Sequence, residues 1–270
     1  MITASLVTFH NSKECIEKIF NCIAQSPISK LYVIDNGADA WVETFCKKYD
    51  FALYQKNMNN GYGAGHNIAM RQAIKSNAMF HIVLNPDIYW EEGVISKIAT
   101  FMTQHDDVGQ VMPKVFYPDG QLQYLCKLCP SPIDLIFKRF LPAKWMKKRM
   151  DRFQLKFTNY SIPINAPYLS GCFMFFRVDA LRKVGLFDER FFMYPEDIDI
   201  TRRIHREYKT MFYPEVTIIH DHAAASYQSL KMLKIHMINM IRYFNKWGWF
   251  WDRERKEMNR KLLTELNYKK

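Results

Sequence analysis

Apolar and polar positions along the first hundred residues alternate between two periods. Short apolar runs at 5–9, 31–35, 51–55 and 81–84 read as strands. Between them lie stretches with helical spacing: Cys15, Ile16, Ile19, Phe20 and Ile23 within 14–24, and Trp41, Val42, Phe45 and Tyr49 within 40–49. Further helices are expected over 65–75 and 91–104. This alternation predicts an α/β fold built from βαβ units, with a mostly parallel sheet and right-handed crossovers.

Beyond about Val108 the alternation stops. Residues 109–116 read as a strand, and Pro118-Asp-Gly120 as a turn. Residues 127–167 are proline-bearing and irregular, with a basic amphipathic segment around 135–150. The apolar run at 169–177 predicts one buried strand, and 213–220 another, ending in His220-Asp-His222. The tail from Leu230 predicts helix, with Leu230, Leu233, Met237, Ile238, Ile241 and Phe244 near one face. No internal repeat is visible.

Length and composition narrow the class. The chain has 270 residues, 49% of them hydrophobic and 15% aromatic, which argues against disorder. No run reaches the roughly 18–20 apolar residues that span a bilayer, and no leader pattern precedes the first strand. A soluble or peripheral protein in a reducing compartment is expected. The six cysteines fit it: Cys15, Cys22 and Cys46 read as small core residues, and Cys126 and Cys129 form a single C-x-x-C without partner ligands for zinc.

A formal charge of +11 implies an anionic partner. Residues 138–156 hold eight basic residues against Asp151, and 231–270 hold eleven against four acids. Charge alone leaves nucleic acid, an anionic membrane and a phosphorylated substrate open. Against nucleic acid, there is no RNP1-like run, zinc finger or helix-turn-helix signature.

Chemistry concentrates at three places. Ligands in open α/β sheets bind at the carboxyl ends of the strands, and there Thr8, His10 and Asn11, then Asp35 and Asn36, then Asn85 and Asp87 are expected. The run Asn59-Asn-Gly-Tyr-Gly-Ala-Gly-His-Asn67 leads into a helix. Its glycines Gly61, Gly63 and Gly65 permit close backbone approach, and a helix N-terminus favours an anion. It is neither G-x-G-x-x-G nor a P-loop, and a plain loop is the alternative. Third, GLFDERFFMYPEDIDITRR at 185–203 sets Glu196, Asp197 and Asp199 after a run of aromatics. Partial desolvation raises a carboxyl pKa and suits a general base. Acids in the first turn of a helix that Pro195 begins are equally in keeping.

In this order and spacing, VTFHN, VIDNG, NNGYGAGHN, LNPD, SGCFMFFR and GLFDERFFMYPEDIDITRR, with His220 downstream, resemble the inverting glycosyltransferases of family 2. The resemblance covers most of residues 4–222 and implies a GT-A fold. It divides the chain into a catalytic domain over 1–225 (a nucleotide-binding half to 108, an acceptor half from 109) and a basic helical region over 226–270. It also implies that Thr8, His10, Asp35, Asn36, Gly63, Gly65, Asn67 and Asn85 line the donor site. LNPD resembles a D-x-D variant with Asn85 for the first acid, so Asp87, with His220 as second ligand and His222 in reserve, would hold Mn²⁺ or Mg²⁺. Asp197 takes the role of base. Glu196 and Arg203 would orient the acceptor, while Asp199 caps the helix or pairs with Arg202 or Arg203.

Within the family the chain looks most like bacterial rhamnosyltransferases of surface polysaccharides such as O-antigen. That likeness implies dTDP-L-rhamnose as donor and a glycan acceptor on a polyprenyl diphosphate. Galactofuranosyl or other hexosyl transfer from a UDP-sugar is the alternative, and a non-catalytic nucleotide- or RNA-binding protein the rival from another class. Phe137, Phe140, Trp145, Trp247, Trp249, Phe250 and Trp251 among the basic residues suit an anionic membrane surface. Placement on the cytoplasmic face of the inner membrane follows. A helix packed on the catalytic domain, with a solvated basic face, is the competing expectation for the tail.

Overall fold

A computed structural model describes residues 1–137, 141–221 and 230–268. The first half follows the expected alternation: β1 (Ile2–Thr8), α1 (Lys13–Ala24), β2 (Ile28–Asp35), α2 (Ala40–Cys46), β3 (Ala52–Lys56), α3 (Tyr62–Lys75) and β4 (Phe80–Leu84). These strands lie in the order β3-β2-β1-β4, all parallel. Every residue of β1 is buried, as a strand covered on both faces requires. Ser12 caps α1 by accepting from the Cys15 amide, and Ile16, Ile19, Phe20 and Ile23 face the sheet.

The second half extends this sheet with mixed pairing. It contributes β5 (Ile88–Tyr89), α4 (Val94–Gln104), β6 (Val108–Phe116), β7 (Cys126–Lys127), α5 (Pro132–Leu135), α6 (Ala143–Phe153), β8 (Ile164–Asn165) and β9 (Tyr168–Leu169). Then follow β10 (Phe173–Arg177), α7 (Val178–Val184), α8 (Glu196–His205), β11 (Lys209–His220), α9 (Leu230–Trp247) and α10 (Arg253–Glu265). β10 runs antiparallel between β4 and β6, β11 lies parallel to β6, and β5 and β8 pair antiparallel with β11. β7 and β9 form a separate two-stranded sheet.

Two expected elements are divided. The run at 169–177 breaks at Ser170-Gly171-Cys172, so that β9 and β10 enter different sheets. A Cβ on Gly171 would sit 3.0 Å from the Asp197 Cβ, so the break is where the chain passes against α8. The tail breaks at Gly248, whose φ of +98° suits glycine, before Asp252 caps α10 by accepting from the Arg255 amide.

Helices cover both faces of the sheet. α1, α2 and α4 bury Phe20, Phe45 and Ile98 against Leu6, Val33 and Phe175. On the other face Met70 of α3, Leu181 of α7 and Ile200 and Ile204 of α8 meet Val83, Met174 and Phe176. A further core joins Ile198, Leu169 and Phe212 to Met240, Tyr243 and Phe244 of α9 and to Leu262 and Leu263 of α10. The tail therefore packs on the rest of the chain. Trp247 and Trp249, expected at a membrane surface, are partly buried against this core, whereas Trp145 and Trp251 are exposed. Phe140, Lys138, Arg139 and His222 lie outside the described residues.

Charge completes the join. Arg202 of α8 is 1% exposed and forms two hydrogen bonds of 2.7 Å to Asp252, with another of 2.6 Å to Glu254. Its guanidinium stacks 4.1 Å from the Trp247 ring. Arg206 reaches the same Glu254 and the same ring. Cys129 exchanges two backbone hydrogen bonds with the Asn259 amide, tying α10 to the strand region as well. All six cysteines are free thiols, and burial pushes the Cys129 thiol up to about 11. Arg202→Ala leaves Asp252 buried without its main counter-charge and should cost about 3–5 kcal/mol, read as a lower urea midpoint; an unchanged midpoint would show that the clamp holds nothing.

Candidate functional site

The carboxyl ends of β1, β2 and β4 form one rim. At its β1–β2 side Asp35 is fully buried. Its carboxylate accepts from Thr8 Oγ1 at 3.2 Å, the Gly37 amide at 3.0 Å and the Tyr54 hydroxyl at 3.1 Å. Asn36 accepts from Asn57 Nδ2 at 2.8 Å and donates to Asn59 Oδ1 at 3.4 Å. His10 is exposed, with φ of +53°, and its Nδ1 lies 3.0 Å from Asp39 Oδ1.

Across the rim the LNPD run leaves β4. The Asn85 amide donates to the Cys172 carbonyl, and the Asn85 side chain meets Tyr62. The Tyr62 hydroxyl lies 2.9 Å from Asn85 Oδ1 and 2.8 Å from the Gly171 carbonyl, shared between the two acceptors. Next along, Asp87 Oδ1 is buried, accepts no hydrogen bond and sits 3.4 Å from His220 Nε2. Gln123 fixes the ring: its amide donates to the His220 carbonyl at 2.8 Å, so its Oε1, 2.9 Å from Nδ1, accepts the ring proton. Nε2 then faces Asp87, and once its proton is lost its lone pair points there, the orientation in which a histidine ligates a metal. Burial opposes a charged His220, but Cys172 and Asp87 outweigh it and raise its pKa. A carboxylate oxygen and an oriented imidazole nitrogen fit a divalent cation as a two-residue protein site. No cluster of three such ligands occurs among the described residues, so oxygens of substrate and water would complete the shell.

α8 begins at this same place. Glu196 and Asp197 occupy its first turn after Pro195, as the helix-start reading expects. Asp197 is half-buried; its Oδ2 accepts from the Gly171 amide at 3.0 Å and its Oδ1 from the Ile198 amide at 2.8 Å. Burial raises its pKa, opposed by Lys127 and by these amides. Glu196 is 5% exposed, and its Oε2 has no hydrogen-bond partner among the described residues. Burial, then the charge of Asp197, pushes Glu196 up to about 8. Near neutral pH Glu196 is thereby held towards its neutral form. The sequence Asn85–Tyr62–Gly171–Asp197 is thus a continuous run of hydrogen bonds from LNPD to the acid pair.

Several residues expected to line the donor site do packing work. A Cβ on Gly63 would lie 2.9 Å from the Phe187 Cβ, and one on Gly65 2.9 Å from Val7 Cγ2. Gly61, at φ of +108°, presses against the Phe192 carbonyl, which also takes the Tyr62 amide. The glycines therefore let α3 approach β1 and the 187–192 segment. Asn67 is buried and brackets Phe187, accepting from its amide at 3.0 Å and donating to its carbonyl at 2.9 Å. Arg203, expected to orient an acceptor, spends its guanidinium on Asp199 and the carbonyls of Val184, Gly185 and Leu186. Asp199 pairs with Arg203 at helical spacing, as expected, and also accepts from Trp247 Nε1 at 2.8 Å.

Three participants were not foreseen. Lys127 offsets the Asp197 charge and stands 4.8 Å from the Tyr168 ring centre. It sits inside the C-x-x-C run, whose cysteines turn into the core. Tyr62 was visible only as a member of the glycine loop. Gln123 carries no local signal.

Comparison with known proteins agrees with this architecture. A mannosyltransferase from Pyrobaculum calidifontis, solved with GDP-Man and Mn²⁺, superposes with a TM-score of 0.58 at 15% identity over 89% of this chain and 64% of its own. GalNAc-T7, solved with UDP, GalNAc and Mn²⁺, gives 0.59 at 12% identity over 82% of this chain. The chain spans only 43% of the length of GalNAc-T7. The fold is that of the GT-A glycosyltransferases. The sequence profile of Glycosyl transferase family 2 matches residues 6–185, and the chain belongs to that family. Among curated relatives, an N-acetylglucosaminyl-diphospho-decaprenol L-rhamnosyltransferase from Mycobacterium tuberculosis is 26% identical over 217 residues, 74% of this chain and 68% of its own.

Two consequences are measurable. Glu196 has a folded pKa above its ordinary 4.5, so its contribution to stability is full below pH 4.5 and lost as pH rises through about 8. Glu196→Gln should therefore match the parent in acid and exceed its melting temperature at pH 9; equal melting temperatures at both would refute the buried acid. Tyr62→Phe strips a donor from two acceptors and should cost about 1–3 kcal/mol in denaturant titration.

Proposed function

We propose that the chain is an inverting, metal-dependent hexosyltransferase that moves L-rhamnose from dTDP-L-rhamnose to a hydroxyl of a glycan carried on a polyprenyl diphosphate. The observation that carries the chemistry is Asp197: a partly exposed carboxylate, held by the Gly171 and Ile198 amides beside a buried Glu196. It removes the proton of the acceptor hydroxyl. The oxygen attacks the anomeric carbon on the face opposite the nucleotide, and the bond to the diphosphate breaks, releasing dTDP. One carboxylate suffices for such a direct displacement. Glu196, neutral and buried, stays out of the proton transfer and shapes the acceptor side. Thr8, Asp35 and Asn36 border the space for the base and ribose of the nucleotide, and Asn85 and Asp87 border that for its diphosphate.

Asp87 and His220 are the residues that would hold Mn²⁺ or Mg²⁺, the imidazole favouring Mn²⁺. Such a cation offsets the negative charge of the donor diphosphate. The choice of rhamnose and of a lipid-linked acceptor is supported by the name of the mycobacterial relative. UDP and GDP-Man in the two fold neighbours keep a second reading in view, hexosyl transfer from another nucleotide sugar. No helix among the described residues is long and apolar enough to cross a membrane. An acceptor with a lipid tail would be met at a membrane surface, proposed here as the cytoplasmic face of the inner membrane.

Asp197→Asn should lower transfer by about 10²–10⁴-fold while the thermal shift given by the nucleotide sugar persists; full activity would remove the base assignment. In the same thermal assay Asp87→Ala and His220→Ala should each abolish the extra shift that Mn²⁺ adds to dTDP. A donor panel of dTDP-L-rhamnose, UDP-galactofuranose and UDP-hexoses decides the sugar, and a response to none of them would sink the transferase reading.

A further inference from the structure

The strongest unassigned feature lies between α6 and α10, outside the site described above. Three adjoining cavities open there, the first of about 470 Å³, and Arg152 and Tyr268 line all three. Lys147 and Lys148 come in from α6, and Lys256 and Arg260 from α10. The two acids in the same groove are already engaged. Asp134 takes two hydrogen bonds from Arg149, at 2.7 and 3.1 Å, and one from Ser131 Oγ at 2.7 Å; Asp151 pairs with Lys156 at 3.0 Å. Among the described residues no carboxylate forms an ion pair with Lys147, Lys148, Arg152, Lys256 or Arg260. Like charges gathered in one concave surface repel unless an anion joins them.

The rim of the groove is apolar and exposed. Trp145, one turn before Lys148 on α6, is 76% exposed, and Leu141 just ahead of the helix is 40% exposed. Below them Met146 and Phe153 anchor α6 in the structure, so the helix presents its basic face outward. A bare indole next to uncompensated cations matches the boundary of a bilayer. Headgroup phosphates meet the cations there and the ring enters the acyl region.

We infer that the α6–α10 groove is a membrane-docking surface that binds the phosphate groups of anionic lipids, with Trp145 inserted beside them. From the proposed function it takes only the expectation of a lipid-linked acceptor. Its test reads membrane partition rather than sugar transfer, so either can fail alone.

Flotation of the full chain with phosphatidylglycerol–phosphatidylcholine vesicles and with phosphatidylcholine vesicles provides the test. Binding is expected to the anionic vesicles only and to weaken as salt rises. Lys148→Glu combined with Arg152→Glu should lower partition about tenfold or more, and Trp145→Ala should lower it at constant charge. Lys147→Glu with Arg260→Glu, both exposed, repeats the test on the other cavities. Each variant should keep the melting temperature of the parent and its thermal shift with dTDP. Vesicle binding that survives both charge reversals would overturn the assignment. So would absence of binding at low salt, or stabilisation by inorganic pyrophosphate without any vesicle binding, which would make the groove a site for a free anion.

Discussion

The position of α8 is the constraint on which the rest depends. Its first turn delivers Asp197 to the Gly171 amide, and its buried flank is fixed by charges the core must accommodate. Arg202 is enclosed by Asp252, Glu254 and the Trp247 ring, while Asp199 is enclosed by Arg203, Lys246 and the Trp247 indole. Ions this deep are costly to desolvate, and their geometry must satisfy each of them. Rotating α8 by one residue would unpair both at once. The tail is therefore a structural partner of the acid-bearing helix, and the basic, aromatic composition of its sequence conceals that role.

A second constraint links the two halves of the site. The glycines of the 59–67 run allow α3 to sit close to Val7 and Phe187, which carries Tyr62 to a point between Asn85 and Gly171. The LNPD run and the acid pair are joined by hydrogen bonds rather than by a shared loop. Burial raises the pKa of both neighbouring acids, Glu196 to about 8, while Lys127 and the Ile198 and Gly171 amides oppose the rise at Asp197. Two carboxyl groups adjacent in sequence meet different surroundings, because Glu196 Oε2 is buried without a hydrogen-bond partner among the described residues and Asp197 accepts from two amides.

The parts legible in the sequence were those governed by short-range periodicity. Helical spacing in α1 and the apolar runs of β1, β2 and β4 predict elements whose bounds the structure reproduces to within a few residues, because that sheet is buried on both faces. The carboxylate cluster at a helix start was legible for the same reason. Long-range partners were not. Gln123 meets His220 across 97 positions, Arg202 meets Asp252 across 50, and nothing local marks either pairing. The glycine loop is legible as a close approach but not as to what it approaches. A glycine needed for a close approach to phosphate and one needed for a close approach to a side chain look alike in sequence, and only Val7 and Phe187 in place distinguish them.

The central claim is that one carboxylate, Asp197, drives a direct displacement at the anomeric carbon. The measurement that reaches it most directly is the anomeric configuration of the product, read from the one-bond carbon–hydrogen coupling by NMR after turnover of a nucleotide sugar of known configuration. A linkage of configuration opposite to that of the donor is the predicted result. A product that retains the configuration of the donor would require a second displacement, and would contradict the account.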